Sequence, residues 1–150
     1  MSDLKKELYN LCIAYVRNRI DEAKQAVELI EQSAKEETKS SAGDKYETSR
    51  EMMQQETDRS MAQLNEAKKL MVALSQVTNT NINTTAGAGS LVATNNGKFY
   101  IAISAGTLNF NGETFFAVSP ASPIGLKLKG LKPGDEFTLN NKLYQVKEIS

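Results

Sequence analysis

The sequence predicts an α+β chain: an N-terminal antiparallel two-helix coiled-coil hairpin, then a small antiparallel sheet carrying one short helix. Three observations predict it. Residues 1–80 hold 12 Lys/Arg, 14 Asp/Glu, no proline and one glycine, whereas residues 81–150 hold 6 Lys/Arg, 4 Asp/Glu, all three prolines and eight glycines. Apolar residues recur at steps of three and four through the first half. In the second half short alternating runs are separated by strong turn signals. The hairpin is expected over residues 1–78 with its tip near 40–48, a linker over 79–90, and the β-rich domain over 91–150.

In the first helix Ile13, Val16, Ile20, Ala23, Val27, Ile30 and Ala34 form an a/d seam, with Arg17, Arg19, Asp21, Glu22, Lys24 and Glu28 outside it. Leu4, Leu8, Leu11 and Tyr15 add a second apolar stripe near the start. A face widened in this way predicts that the helix base packs on more than its hairpin partner. The second helix repeats the seam with Met53, Thr57, Ser60, Leu64, Ala67, Met71, Leu74 and Val77. Polar Thr57 and Ser60 weaken it toward the tip, so stability is expected to concentrate at the base. Each arm has about 35 helical residues, on the order of 50 Å at 1.5 Å per residue. One seam does not require such length.

Between the arms lies Gly43-Asp44-Lys45-Tyr46-Glu47. Gly43 can take the left-handed backbone that closes a helix. Asp44 and Glu47 have capping-box spacing and favourable charge for a helix N-terminus. The same spacing places two carboxylates on one face. Mg²⁺ is often held by one or two carboxylates together with water and phosphate oxygens, so the pair could complete a metal site inside another macromolecule. Capping and metal binding use one geometry, and spacing alone does not choose between them.

The second half reads as strands Leu91–Thr94, Lys98–Ser104, Thr107–Phe110, Glu113–Val118, Glu136–Leu139 and Leu143–Ile149. Asn95-Asn96-Gly97 and Asn111-Gly112 are turn signals, the latter a favoured two-residue hairpin turn. Ser122-Pro123 reads as an N-cap and first-turn proline opening a short helix that Gly130 ends. Lys132-Pro133-Gly134-Asp135 has the pattern of a type II turn.

Several function classes are excluded or disfavoured. The formal net charge is zero and no basic face stands out, which disfavours direct nucleic-acid binding. Histidine is absent, which removes His-based triads and most zinc sites. The β-rich half shows no nucleophile–base pair and no Gly-rich phosphate loop, and no enzyme active site is expected. No apolar run approaches the roughly 18 residues of a membrane span, and no signal-peptide pattern is present. The single cysteine, Cys12, reads as a small buried hydrophobe in a reducing compartment. A cytoplasmic monomer with a protein partner and no bound cofactor is therefore expected.

Two regions resemble the Gre family of bacterial transcription elongation factors, the transcript cleavage factors. Ser122-Pro-Ile-Gly-Leu-Lys-Leu-Lys-Gly-Leu-Lys-Pro-Gly-Asp135, with the closing Tyr144-Gln-Val-Lys-Glu-Ile149, resembles that family's FKBP-like C-terminal domain. Gly43-Asp44-Lys45-Tyr46-Glu47 is similar to its acidic coiled-coil tip, Gly-Asp-x-x-Glu, and the likeness departs from the family at Thr48-Ser49-Arg50-Glu51. The resemblance implies that the hairpin enters the secondary channel of RNA polymerase while the domain grips the channel rim, with Ser122, Pro123, Ile124 and Gly125 as contact candidates. It also implies that Asp44 and Glu47 help hold a Mg²⁺ shared with the polymerase, which then hydrolyses backtracked RNA by a two-metal mechanism. Nucleic acid would be met only through the elongation complex. Two alternatives stay open at the sequence level: a polymerase regulator that does not stimulate cleavage, and a coiled-coil interaction module unrelated to polymerase. A prolyl isomerase is disfavoured by the absence of tryptophan from the domain.

Overall fold

The computed structural model describes the backbone of residues 2–39, 43–77 and 84–150, and the side chains of residues 4–35, 50–77 and 84–150. Helices α1 (Ser2–Lys39) and α2 (Gly43–Ser75) pack together as a hairpin. The seam read from the sequence is the seam observed. Val16, Ala23, Leu64 and Ala67 are buried, as is Ser60 at a core position. Nearer the tip Val27, Ile30, Ala34, Met53 and Thr57 are only partly buried, so apolar stabilisation declines along the arm.

One expectation is corrected at the tip. Gly43 does not close α1. It opens α2, which puts Asp44 at the second helical position rather than at the cap. The first turn of a helix favours acidic residues whether or not one of them caps it, so the charge pattern did not fix the boundary. The side chains of Asp44 and Glu47 lie outside the described residues.

The second half forms strands β1 (Leu91–Thr94), β2 (Gly97–Ile101), β3 (Gly106–Phe110), β4 (Glu113–Val118), β5 (Glu136–Leu139) and β6 (Lys142–Ile149), with helix α3 (Pro123–Leu128) between β4 and β5. They make one six-stranded sheet in the order β3-β4-β2-β1-β6-β5. The expected antiparallel sheet is corrected here: β2 and β4 run parallel, with Phe99 opposite Phe116 and Tyr100 opposite Ala117. The cause is placement. The β3–β4 hairpin joins the sheet through β4, so β3 lies outermost and β4 returns beside β2 in the same direction. The segment expected to extend to Ser104 leaves the strand after Ile101, and Ala102 and Ile103 stay buried in the connection to β3.

Local chemistry explains the turns. Asn111 (φ 51°) and Gly112 (φ 79°) hold the positive φ values of the two-residue turn joining β3 to β4. Asp135 N–H donates to the Lys132 carbonyl (3.0 Å) with Gly134 at φ 96°, as the type II pattern requires. The β1–β2 turn is clamped to β6: Asn95 Nδ2 and Asn96 Nδ2 both donate to the Leu143 carbonyl, and Gln145 N–H donates to Asn95 Oδ1. These bonds continue the β1–β6 ladder past its bulge at Ala93/Thr94.

The sheet has two buried faces. On one, Val92, Phe99, Ile101 and Val146 form a core with Ala86 and Leu128, against which Ile124, Leu131, Phe137 and Tyr144 pack. Aromatic rings run across it: Phe116 stacks on Phe99 (5.5 Å), Phe99 meets Tyr144 edge-on (6.2 Å), and Tyr144 stacks on Phe137 (4.8 Å). On the other, Tyr100, Phe115 and Ala117 are also buried. The protein divides into two compact units, Val16–Leu70 alone and Met1–Tyr15 together with Met71–Ser150. The base of the hairpin thus belongs with the sheet. Leu8, Cys12 and Leu74 there are fully buried, as the widened apolar face near the start of α1 predicted.

Candidate functional site

Two groups of residues were marked by the sequence, and each is built differently. Asp44 and Glu47 occupy the first turn and a half of α2. Positions three apart on a helix share a face, and the first turns of a helix favour negative charge. Carboxylate oxygen is a suitable donor for Mg²⁺, yet two carboxylates need further oxygen ligands from elsewhere. Among the described residues no cluster of three or more Asp, Glu, Cys or His side chains could hold a metal ion.

The second group opens α3, where each residue has a separate structural task. Ser122 is the N-cap (φ −68°, ψ 159°), its Oγ accepting from Gly125 N–H (3.1 Å) and donating to the Ser119 carbonyl (2.6 Å). This secures one orphan amide of the helix and ties it to the preceding loop. Pro123 takes the first helical position, where its missing N–H costs nothing. Gly125 is buried so closely against the loop that a Cβ would run into the Ser119 carbonyl oxygen. Ile124 packs onto the core. Pro123 is exposed, as are Leu126 (62%), Lys127 and Lys129. Sequence reasoning missed Leu126. A helix of six residues with Ile124 and Leu128 turned inward has to leave the residue between them outside, and that spacing was the available signal.

The stretch just before β1 completes this region. Ala86 N–H donates to the Leu131 carbonyl and its carbonyl accepts from Gly130 N–H, both at 2.9 Å. Gly130 (φ 81°) ends α3 in the left-handed conformation expected of a helix-terminating glycine. Buried Ser90 Oγ accepts from Gly87 N–H (3.0 Å), so residues 86–90 are bonded into the sheet domain.

Neither candidate region contains a cysteine. The single one, Cys12, is buried, and burial pushes its thiol from an ordinary 9.0 up to about 11, the reverse of what a reactive cysteine needs. Lys5, also buried, has its ammonium pKa lowered by desolvation. A charge inside the apolar base of α1 carried no sequence signal, because Lys5 lies beside Leu4 and Leu8 in a stripe read only for its apolar members. A thiol reagent is therefore expected to label Cys12 in urea and leave it nearly untouched in the native protein. The raised thiol pKa also has a sign in stability: the folded state keeps its proton where the unfolded thiol has lost it. From pH 9 to 11 the wild type should lose about 2–3 kcal/mol relative to Cys12→Ala. Parallel denaturant titrations across that range check this, and equal slopes for the two proteins would contradict it.

No protein-family model, curated protein or solved structure matches this sequence.

Proposed function

We propose that this protein is a bacterial RNA polymerase factor that works through the secondary channel, with Asp44 and Glu47 acting at the polymerase active centre. The observation that carries the reading is the hairpin itself. Helices of 38 and 33 residues reach on the order of 50 Å, and two acids lie in the first turns of α2. Met71, near the other end of that helix, belongs to the unit that contains the sheet. Length beyond what packing needs, with carboxylates at the turn, suits an arm that carries charge into a narrow site.

In this reading the polymerase is the enzyme and the hairpin supplies position and charge. The FKBP-like character of the sheet domain, its grip on the channel rim, and a cytoplasmic monomeric state belong to the same proposal. Pro123 is the solvent-facing member of the contact candidates, whereas Ile124 and Gly125 maintain the shape of the surface. A Mg²⁺ shared in the complex would supply charge neutralisation and an activated water. Asp44 and Glu47 offer oxygen ligands to that ion.

The test adds purified protein to backtracked elongation complexes with Mg²⁺ and measures release of short RNA 3′ fragments. Wild type is expected to accelerate cleavage, and Asp44→Ala or Glu47→Ala to lower the rate by about tenfold to a hundredfold, the scale on which supporting residues of metal sites act. Channel binding without cleavage by wild type leaves the regulatory version of the proposal. Absence of binding to polymerase overturns both versions.

A further inference from the structure

The turns of the sheet carry asparagine at 95–96, 111 and 140–141. In general chemistry an asparagine followed by glycine is prone to cyclise, because no side chain shields the next backbone nitrogen from the asparagine Cγ. Two pairs qualify, Asn96-Gly97 and Asn111-Gly112. The structure separates them sharply.

Asn96 is held at both ends. Its Nδ2 donates to the Leu143 carbonyl (2.8 Å), and its backbone N–H donates to Thr94 Oγ1 (3.1 Å). Thr94 Oγ1 in turn donates to the Gly97 carbonyl (2.8 Å). Gly97 begins β2, in the interior of the sheet, and a Cβ there would touch the Phe116 ring at 3.0 Å. Cyclisation at Asn96 has to break these bonds and move the strand.

Asn111 has none of this restraint. It is exposed, no hydrogen bond from the described residues holds its side chain, and Gly112 has open space where a Cβ would lie. The turn belongs to β3, an edge strand that pairs only with β4. Edge hairpins open at lower free energy than central strands, and opening gives the Gly112 nitrogen the freedom to reach Cγ.

We propose that Asn111 is a site of spontaneous covalent modification whose product loosens edge strand β3. The Gly112 backbone nitrogen attacks Asn111 Cγ and gives up its proton to solvent base. Nδ2 takes up a proton from water, the Cγ–Nδ2 bond breaks and ammonia leaves, forming a five-membered succinimide. Water then opens either carbonyl of the ring, giving an aspartyl or an isoaspartyl linkage at position 111. No electrons are transferred and no co-reactant beyond water is consumed.

Both products change the hairpin. A new carboxylate appears two residues from Glu113, whose partner is Lys98 Nζ at 2.8 Å. The isoaspartyl form also adds one carbon to the main chain between Phe110 and Glu113, which pair directly across the turn. A two-residue loop has no slack for it, since loop length fixes the register. The Thr114–Asn109 rung, joined by a 3.1 Å side-chain bond, is the next to be disturbed.

The full-length native protein is incubated at mildly alkaline pH, and its peptides are mapped by mass spectrometry with ammonia release followed in parallel. Asn111 is expected to convert more than about tenfold faster than Asn96, since two hydrogen bonds restrain only the latter. In urea the two sites should react at similar rates. Hydrogen exchange should then be faster in β3 of the converted protein. Equal native rates at the two positions overturn the site assignment, and unchanged β3 exchange after conversion overturns its consequence.

Discussion

Gly125→Ala will cost this protein about 3–4 kcal/mol, most of a helix cap together with the strain of overpacking. Gly125 has no unusual φ, and its requirement is space. The Ser119 carbonyl oxygen occupies the place a Cβ would take, with the Pro120 carbonyl and Ser122 Oγ close behind at 3.0 Å. Backbone cannot rotate away as a side-chain end can, so α3 must lift from the loop and lose the Gly125–Ser122 bond. Leu128 and Ile124 then leave the core they share with Val92 and Phe99. Urea titration measures the loss, with Ser122→Ala as the reference for the cap alone at about 1 kcal/mol. A Gly125→Ala protein as stable as Ser122→Ala would show that the loop yields.

Leu8→Ala is expected to destabilise helix base and sheet together, by about 2–5 kcal/mol. Leu8 is fully buried, and residues 1–15 belong to the compact unit that contains every strand. Its removal should therefore speed amide exchange in β2 and β4 as well as in α1. Leu29→Ala, at a position 64% exposed on the same helix, should change stability by less than about 0.5 kcal/mol. If Leu8→Ala softened α1 while strand exchange stayed at its wild-type rate, the base and the sheet would be energetically separate.

What could be read from the sequence was what is decided locally. A seam with steps of three and four implies a helix pair whatever lies around it, and the burial of Val16, Ala23, Leu64 and Ala67 follows that seam. Asn111-Gly112, Ser122-Pro123 and Pro133-Gly134 were legible because each solves a backbone problem inside four residues. The parallel β2–β4 pairing was not, since Asn111-Gly112 specifies a hairpin and says nothing about which of its strands joins the sheet. The Asn95 and Asn96 clamp on β6 escaped for the same reason, as its partners Leu143 and Gln145 are remote in sequence. Burial of Lys5 depends on tertiary packing that a helical apolar pattern does not reveal. In the candidate region at α3, Ser122 and Pro123 announced themselves by their capping pattern, whereas the crowding at Gly125 depends on the path of Ser119 and Pro120.

The pairing of β1 with β6 has a consequence for synthesis. Val92 lies opposite Ile149, and Leu91 and Ser150 exchange both backbone hydrogen bonds. Each helix of the arm is held by bonds between residues four apart and can form as the nascent polypeptide leaves the ribosome, but contacts as remote in sequence as those of β1 with β6 are slow to make. Until Lys142–Ile149 has emerged, β1 has no partner on one side and β5 has none at all. A polypeptide stalled before Lys142 would therefore present an open strand beside an incomplete apolar core, which is the condition in which unfinished proteins aggregate.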